Sequence, residues 1–429
     1  MTYEQAQQYL LAGYNPKTKK GLENIGLALE KLGNPHDKLK IIHVAGTNGK
    51  GSACAMLAAV LQTTGYRVGV FTSPHLVHVN ERFSINNQII SDEDFARHLG
   101  RVANISREMF GSDPFSFFEA LTLMAFDYFC AQNVDIVLLE VGIGGRLDAT
   151  NAVKQPLLSV IMSIGFDHME ILGDTLEKIA QEKGGIIKEN CPVVLYSNPQ
   201  MVYNVFTAIA ATKNSKIYHA GDVAIDALEE TVYGTNFIAK HEYYGEMCIK
   251  LSLIGRYQLQ NAACVIAACA ALCDAGHAVD ADDIIRGLAA ASFGGRMEVV
   301  SQNPLIVLEG AHNLQGAEAA AQNMQNLFRG KEITLLAAVL ADKQYAEILQ
   351  TLAKHAARAV LTKPSYDAKA VPPLVLAKTI NGIETYVEEN PINALQKAIA
   401  ITPKDGVIFC SGSLYLIGDM RHAIIKKGG

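Results

Sequence analysis

The sequence lacks the features of secreted, membrane and nucleic-acid-binding proteins. No uncharged apolar run approaches the roughly 18 residues that a membrane span needs. The opening segment, MTYEQAQQYLLAGYNPKTKK, has no basic start followed by an apolar stretch, so it does not resemble a signal peptide. The net charge is only -6, and like charges are not grouped in blocks. We therefore expect a cytoplasmic protein that binds neither nucleic acid nor membranes.

The eight cysteines show no C-x-x-C spacing. Three of them, Cys264, Cys269 and Cys273, lie together in NAACVIAACAALCDAG among alanine, valine and isoleucine. Metal ligands are usually spaced differently and have polar neighbours, whereas free cysteines often act as small buried residues. These cysteines are better explained as packing residues of a buried helix.

The length of 429 residues exceeds what one hydrophobic core usually supports, so we expect two domains. Between about residues 39 and 200, short apolar runs such as KLKIIHVAG and VDIVLLEVG alternate with helical patterns. Continuous apolar strands separated by amphipathic helices predict an α/β fold with a mostly parallel sheet and helices on both faces.

The pattern changes after residue 200 and then returns. From 215 to 252, SKIYHAGDVAIDAL, TVYGTNFIAKHEYYG and EMCIKLSLIG predict a small antiparallel subsheet. The segment FGGRMEVVSQNP is rich in glycine and polar residues and predicts a domain junction. Strand and helix patterns resume after it. We therefore expect a first domain over 1–297 and a smaller α/β domain over 298–429.

The strongest local signal is HVAGTNGKGS, His43–Ser52, between a predicted strand and helix. It departs from the usual phosphate-loop pattern G-x-x-x-x-G-K-[ST], because Val44 replaces the first glycine and Gly51 separates the lysine from the serine. Backbone N–H groups and the helix dipole at such a turn favour an anion. Lys50 would reach terminal phosphates, and Ser52 would bind a phosphate or Mg²⁺. The alternative is a plain glycine-rich turn.

Polar residues end several of the other predicted strands. Glu140 follows a buried strand, and Asp167 and His168 follow the next one. Strand ends meet at the carboxyl edge of a parallel sheet, so Glu140 and His168 would jointly hold Mg²⁺ there. Against this, Glu140 could cap a helix, and imidazole is an unusual ligand for a hard cation. In FTSPHL, Ser73 and His75 belong either to the same edge or to a simple turn.

Two lysines, Lys183 and Lys188, end the predicted helix of QEKGGIIK. Lysines at a helix C-terminus commonly interact with the helix dipole in solvent. The two glycines after Lys183 would instead allow close approach to a site, and a desolvated lysine loses its proton readily. Both explanations fit the sequence.

Taken together, the motifs resemble those of the bacterial folylpolyglutamate synthase family, many of whose members are also dihydrofolate synthases. They are HVAGTNGKGS, TSPHL, NERF, EVGIGGRLDATN, DHMEILG, EKGGIIK, GGRMEV, EGAHN and SGSLYLIG. The resemblance runs from about residue 20 to the C-terminus. It extends to the broader group of Mur ligases, which share a short phosphate loop.

The resemblance implies an ATP-dependent acid–amino-acid ligase that adds L-glutamate to a folate through an acyl phosphate. It also implies a Mur-type ATP-binding first domain and a Rossmann-like glutamate ligase second domain. The expected substrates are ATP, L-glutamate and either a reduced folate or dihydropteroate, with Mg²⁺ as cofactor. We expect a monomer.

Site roles are carried over from the matching motifs. The resemblance assigns catalysis to Lys50, Lys183 and His312, with Lys183 carried as an N-carboxylated (carbamate) side chain. It assigns ATP contacts to Asn48, Gly49, Lys50, Gly51, Ser52, Asn261, Arg296 and Glu309. It assigns folate contacts to Phe118, Glu119 and Asp148, and Mg²⁺ ligation to Ser73, Glu140 and His168.

Two residues depart from the family pattern. Glu309 in EGAHN stands where relatives carry aspartate, so the side chain is one methylene longer. Gln344 in ADKQY stands where relatives tend to have an acidic residue, and no role is assigned to it. Two alternatives to the folate ligase stay open: a Mur-type ligase acting on a UDP-muramoyl peptide, and a nucleotide-gated binding protein without ligase chemistry.

Overall fold

The computed structural model describes residues 1–14, 21–366 and 369–425. The last four residues of the predicted second domain, 426–429, lie outside the described residues. None of the helices in these ranges combines the length and the apolar character needed to span a bilayer.

The first part of the chain carries two sheets and the helices that cover them. In chain order its elements are α1 (Tyr3–Ala12), α2 (Gly21–Lys31), β1 (Ile41–Ala45), α3 (Lys50–Thr63), β2 (Val68–Phe71), β3 (Phe83–Ile85), β4 (Gln88–Ile89), α4 (Asp92–Phe110), α5 (Phe117–Ala131), β5 (Ile136–Glu140), β6 (Leu158–Ile161), α6 (Met169–Leu172), α7 (Leu176–Gly184), β7 (Val193–Leu195), α8 (Gln200–Thr212), β8 (Ile217–His219), β9 (Ala224–Thr231), β10 (Gly234–His241), β11 (Gly245–Leu251), α9 (Tyr257–Asp274) and α10 (Ala281–Ala290).

The larger sheet has the strand order β4-β3-β2-β5-β1-β6-β7-β8 in the described part of the chain. The strands from β2 to β8 in that order pair in parallel, and β3 and β4 add an antiparallel edge. Every residue of β1 and β5 is buried, as expected for strands covered on both faces. The predicted mostly parallel sheet is confirmed.

Alternate residues of the central strand face different cores. Ile42 and Val44 of β1 pack with α3, α9 and α10, whereas Ile41 packs with α1, α2, α4 and α5. Side chains alternate along a strand, so one five-residue strand anchors both layers of helices. Cys264 and Cys269 lie fully buried in the first of these cores.

The predicted antiparallel subsheet exists, but its first strand was placed wrongly. Strands β9, β10 and β11 form the small sheet in the order β11-β10-β9. Ile217–His219, which we had grouped with them, instead pairs in parallel with β7 at the edge of the larger sheet. A three-residue strand is too short for its alternation to indicate which sheet it joins.

The second part of the chain forms a six-stranded sheet in the order β12-β13-β17-β14-β15-β16, counted over the described residues. Its elements are β12 (Glu298–Gln302), β13 (Leu305–Leu308), α11 (Leu314–Leu327), β14 (Ile333–Ala337), α12 (Tyr345–Ala353), β15 (Arg358–Leu361), α13 (Pro373–Ala377), β16 (Glu384–Val387), α14 (Pro391–Ile401), β17 (Val407–Ser411) and α15 (Leu414–Ile425).

This sheet is also covered on both faces. Helices α11, α12 and α13 pack on one face, and α14 and α15 pack on the other. Strand β12 is antiparallel to β13, and the remaining pairs are parallel. The second half of FGGRMEVVSQNP, predicted to be a domain junction, forms the edge strand β12, because its residues pair with β13.

Helices α10 and α3 approach each other so closely that the contact requires a glycine. A Cβ atom added at Gly287 would lie 2.4 Å from the Cα atom and 2.6 Å from the backbone nitrogen of Val60. Backbone atoms cannot move aside as a flexible side chain can, so a methyl group here would force the helices apart.

We therefore expect Gly287→Ala to destabilise the protein by roughly 1–3 kcal/mol, as overpacked core substitutions do. The matched control is Gly26→Ala in α2, where nothing lies within 4 Å of an added Cβ atom. That change should stabilise the helix by up to about 1 kcal/mol. Urea unfolding midpoints measure both. A midpoint for Gly287→Ala at or above that of the unsubstituted protein would contradict the close contact.

Candidate functional site

One cavity of about 1080 Å³ is lined by residues from both parts of the chain. Every residue assigned to a site from the sequence lines it: Asn48, Gly49, Lys50, Gly51, Ser52, Ser73, Phe118, Glu119, Glu140, Asp148, His168, Lys183, Asn261, Arg296, Glu309 and His312. Lys188 does not line the cavity; its Nζ donates to the carbonyl oxygen of Asn151 at 3.4 Å.

The glycine-rich loop connects β1 to the start of α3 at Lys50. Gly49 has a left-handed backbone with φ of 86°, and an added Cβ there would lie 2.6 Å from Oδ1 of Asn261. Lys50 Nζ donates to the carbonyl oxygens of Gly46 and Thr47 at 3.0 and 3.2 Å. The loop thus presents backbone N–H groups, a helix N-terminus and an ammonium group to the cavity, the combination that binds phosphates.

The base of the loop is held by a chain of buried amides. Gln258 Nε2 donates to Ser52 Oγ at 3.2 Å, and Asn261 Nδ2 donates to Gln258 Oε1 at 2.8 Å. Both amides come from α9. The first turn of this helix therefore fixes the serine at the start of α3, and sequence reasoning had identified Asn261 but not Gln258.

Glu140 ends β5 as a fully buried carboxylate beside the loop. Its Oε2 accepts a hydrogen bond from the backbone N–H of Ser73 at 2.9 Å, and Lys50 Nζ lies 3.9 Å from its Oε1. Burial raises the pKa of Glu140, and the charge of Lys50 opposes that shift. A cation bound in the cavity would stabilise the ionised form of this carboxylate.

His168 follows β6, which lies on the opposite side of β1 from β5, and has a left-handed backbone with φ of 51°. Burial lowers its pKa, so the imidazole is neutral at physiological pH and has a free electron pair to offer. Over the described residues, no group of three or more His, Cys, Asp or Glu side chains is arranged to hold a metal by itself. Any cation here would need the Ser73 hydroxyl or a ligand's oxygens as well.

Lys183 ends α7 with its ammonium group inside the protein. Its Nζ donates to the carbonyl oxygen of Gly46 at 3.0 Å, and only 5% of the residue is exposed. Desolvation and the nearby charge of Lys50 lower its pKa to about 7. An added Cβ at Gly145 would lie 2.7 Å from the carbonyl oxygen of Glu182, so the GIGGR loop packs directly on this helix end. An added Cβ at Gly185 would lie 2.5 Å from the Cα atom of Arg146, so one of the two glycines after Lys183 allows this close approach.

The acidic residues assigned to folate also build the cavity wall. Asp148 Oδ2 accepts from the N–H groups of Gly142 and Ile143 at 3.1 and 3.0 Å, which shapes the GIGGR loop. Glu119 caps its own helix through Ser116 and accepts from the Gly21 N–H at 3.0 Å. The phenyl ring of Phe118 lies over Gly142 and gives this end of the cavity an aromatic surface.

Arg82 was missed by the sequence analysis although NERF was noted. Its Nε donates to Nδ1 of His75 at 2.9 Å, and its guanidinium lies 5.2 Å from the ring centroid of Phe117. Burial lowers the pKa of Arg82 to about 10 and that of His75 to about 4. A charged guanidinium and a neutral imidazole therefore face the cavity together near its aromatic end.

Asp167 is a further residue to which the sequence analysis assigned no role. Its Oδ1 lies 2.5 Å from Lys343 Nζ, and its Oδ2 lies 3.6 Å from His312 Nε2. Burial alone would raise its pKa, but the hydrogen bond and charge of His312, with the charges of His168 and Lys343, hold that pKa well below its usual range. This carboxylate stays ionised and joins the two parts of the chain.

A parallel set of amide contacts joins the phosphate loop to α11. Asn48 Nδ2 donates to Gln315 Oε1 at 2.8 Å, and Asn313 Nδ2 donates to Asn48 Oδ1 at 3.0 Å. The Gln315 side chain also lies against Gly165: a Cβ atom added at Gly165 would be 2.3 Å from Oε1 of Gln315. Neither Asn313 nor Gln315 had been assigned, because their partners lie more than 250 positions away in the sequence.

Most of the chain matches two known protein families' domains. Residues 44–269 match the family model of the Mur ligase middle domain, and residues 295–414 match that of the Mur ligase glutamate ligase domain. The chain is 35% identical to the dihydrofolate synthase/folylpolyglutamate synthase of Bacillus subtilis, over 98% of this chain and 99% of that protein.

Solved structures agree over almost the whole chain. The folylpolyglutamate synthase of Mycobacterium tuberculosis in complex with ADP has a TM-score of 0.86 at 29% identity, with 94% of each chain covered. FolC of E. coli in complex with DHPP and ADP has a TM-score of 0.87 at 27% identity, covering 99% of this chain and 98% of that one. The chain belongs to the Mur ligase family, within its folylpolyglutamate synthase/dihydrofolate synthase branch.

Proposed function

We propose that this protein is an ATP-dependent ligase that adds L-glutamate to folates. The observation that carries the proposal is that one cavity holds a phosphate loop, a buried carboxylate and a desolvated lysine beside an aromatic, arginine-containing end. A flat, partly apolar ring system with an anionic tail suits that end, and a triphosphate suits the loop. The relatives from B. subtilis and E. coli, named for this activity or bound to DHPP and ADP, support it.

The reaction places two transfers in one cavity. A carboxylate oxygen of the folate attacks the γ-phosphorus of ATP, and the bond to ADP breaks. The amine of glutamate then attacks the acyl carbon, loses a proton, and inorganic phosphate leaves as the amide forms. Phosphoryl transfer depends mostly on positioning and charge neutralisation, which the loop N–H groups and Lys50 provide.

Glu140 and Ser73, with His168, would hold Mg²⁺ at the edge of the sheet. The donor set fits a hard cation in its carboxylate and hydroxyl oxygens, and the neutral imidazole of His168 supplements them. When bound, Mg²⁺ would neutralise charge on the triphosphate. Glu140 itself serves to keep Lys50 near the phosphates, because its Oε1 lies 3.9 Å from the ammonium.

The remaining residues would divide between the substrates. Asn48 to Ser52, Asn261 and Arg296 would surround ATP, with Glu309 supporting Arg296. Phe118, Glu119 and Asp148 would line the folate end, and His312 would stand between nucleotide and glutamate. We assign 1–297 to the ATP-binding domain and 298–429 to the glutamate ligase domain. Neither a UDP-muramoyl peptide ligase nor a binding protein without turnover is favoured by the relatives.

The proposal predicts that ADP forms over many turnovers only when ATP, glutamate and a folate or dihydropteroate are all present; without glutamate, at most one ADP forms per site. Tetrahydrofolate and dihydropteroate are tested separately, and the conjugated product is identified by mass spectrometry. Lys50→Ala should lower turnover by roughly 10²- to 10³-fold or more, because a positioned cation is lost from the phosphates. Lys178→Ala on the exposed face of α7 is the matched control and should leave turnover unchanged. ATP hydrolysis that is independent of both acceptors would contradict the proposal.

We further propose that Lys183 carries a carbamate on Nζ. Carbamate formation requires the neutral amine, and a pKa of about 7 leaves much of this amine neutral at physiological pH. The modification would replace a buried cation beside Lys50 with an anion, which the positive surroundings favour. It would also remove the repulsion between two ammonium groups that share the carbonyl of Gly46.

Addition of ¹³C-bicarbonate should therefore give a slowly exchanging carbamate signal in the ¹³C spectrum at pH 8. Because the lowered pKa keeps the amine neutral only above about pH 7, the signal should fade as the pH drops through 7. Lys183→Gln should abolish it, and Lys178→Gln should retain it. A spectrum in which Lys183→Gln leaves the signal intact would place the carbamate elsewhere.

A further inference from the structure

The connection between the two parts of the chain is conformationally strained. It runs from the end of α10 to the start of β12, and two of its residues, Gly295 and Met297, have left-handed backbones with φ of 70° and 47°. Glycine adopts this conformation readily, but a methionine rarely does. A residue held in such a conformation needs surrounding contacts that fix it.

The carboxylate of Glu309 supplies those contacts. Its Oε2 accepts a hydrogen bond from the Met297 N–H at 3.1 Å and another from the Tyr257 hydroxyl at 2.9 Å. Glu309 follows β13 in the second part of the chain, and Tyr257 begins α9 in the first part. The single oxygen Oε2 of Glu309 therefore links the strained connection to the first and second parts of the chain.

Arg296 lies between the two left-handed residues and depends on the same contacts. Its Nη1 would lie 1.9 Å from a Cβ atom added at Gly310, so the guanidinium passes directly over that glycine. The Gly310 N–H in turn donates to the carbonyl oxygen of Gly295 at 2.8 Å. The direction of the arginine into the cavity is thus set by the backbone on either side of it.

The length of the Glu309 side chain makes this arrangement possible. An aspartate at this position would be shorter by one C–C bond, roughly 1.5 Å. From the same backbone position an aspartate oxygen would fall short of the Met297 N–H, the Tyr257 hydroxyl, or both, because these bonds already measure 3.1 and 2.9 Å. The glutamate and the tyrosine therefore form a matched pair in this chain.

We propose that Glu309 and Tyr257 are positioning residues that fix the connection over Gly295–Met297 and thereby aim Arg296 at the nucleotide. The proposal rests on the proposed function in one respect, namely that a nucleotide occupies the cavity beside Arg296. Glu309 would then influence nucleotide binding by orienting Arg296. Tyr257 would share this role, although it belongs to none of the sequence motifs.

Calorimetric titration with ADP tests this in the full-length protein. Tyr257→Phe and Glu309→Asp should each weaken ADP binding by roughly 5- to 30-fold, as expected for a lost buried hydrogen bond that positions a charged group. Tyr203→Phe, which removes a tyrosine hydroxyl bonded to His219 outside the cavity, is the matched control and should leave the affinity within twofold.

The decisive comparison repeats both substitutions in an Arg296→Ala background, where the phosphate loop still binds ADP. If Glu309 and Tyr257 act through Arg296, each should now change the affinity by less than twofold. Equal losses in both backgrounds, or no loss for Tyr257→Phe in the unsubstituted protein, would overturn the proposal. Tyr257→Phe decides the matter even if Glu309→Asp folds poorly. ADP binding can be measured without turnover. A protein that binds ADP but shows no ligase activity would therefore count against the proposed function and not against the positioning role of Glu309 and Tyr257.

Discussion

The site depends on the ionised carboxylate of Asp167 at the boundary between the two parts of the chain. A buried carboxylate must be compensated, and its partners Lys343 and His312 come from the second part, whereas the loop that carries Asp167 belongs to the first. Asn313 donates to Asp167 Oδ2 at 3.3 Å and also to Asn48 in the phosphate loop. The contacts that compensate this charge therefore also hold the two parts of the chain together around the cavity.

Positive charge is also concentrated at the glycine-rich loop of the same cavity. Lys50 and Lys183 both donate to the carbonyl oxygen of Gly46, and Glu140 is the buried carboxylate nearest to Lys50 in the described structure. The two ammonium groups repel each other, which lowers the pKa of Lys183 in addition to the effect of burial. Such an arrangement favours anions at the loop, either from a nucleotide or from a modified lysine.

Sequence patterns predicted the parts of the site that follow from strand ends. The glycine loop after β1, Glu140 after β5 and His168 after β6 were found because parallel strands deliver their carboxyl ends to one edge. Contacts across the two parts could not be found in this way. Asp167 with Lys343 depends on how two separate sheets meet, and no periodicity in either segment encodes that geometry.

Local signals were also weakest where an element is short. The sequence of the three-residue strand β8 did not indicate which sheet it joins. The strand β12 was not predicted because it follows directly on a glycine-rich segment. The role of Glu309 was visible only as one extra methylene relative to the family motif, and its partner Tyr257 lies 52 positions earlier in the chain. Such pairs can be recognised only in the folded structure, because neither residue alone indicates its partner.

The central claim is that the carboxylate of the folate is phosphorylated in this cavity before glutamate attacks. Transfer of ¹⁸O from a folate labelled in its reacting carboxylate tests that claim most directly. The account predicts that mass spectrometry finds one ¹⁸O atom in each inorganic phosphate released with the amide. Phosphate without the label would mean that ATP is hydrolysed by water and that no acyl phosphate forms.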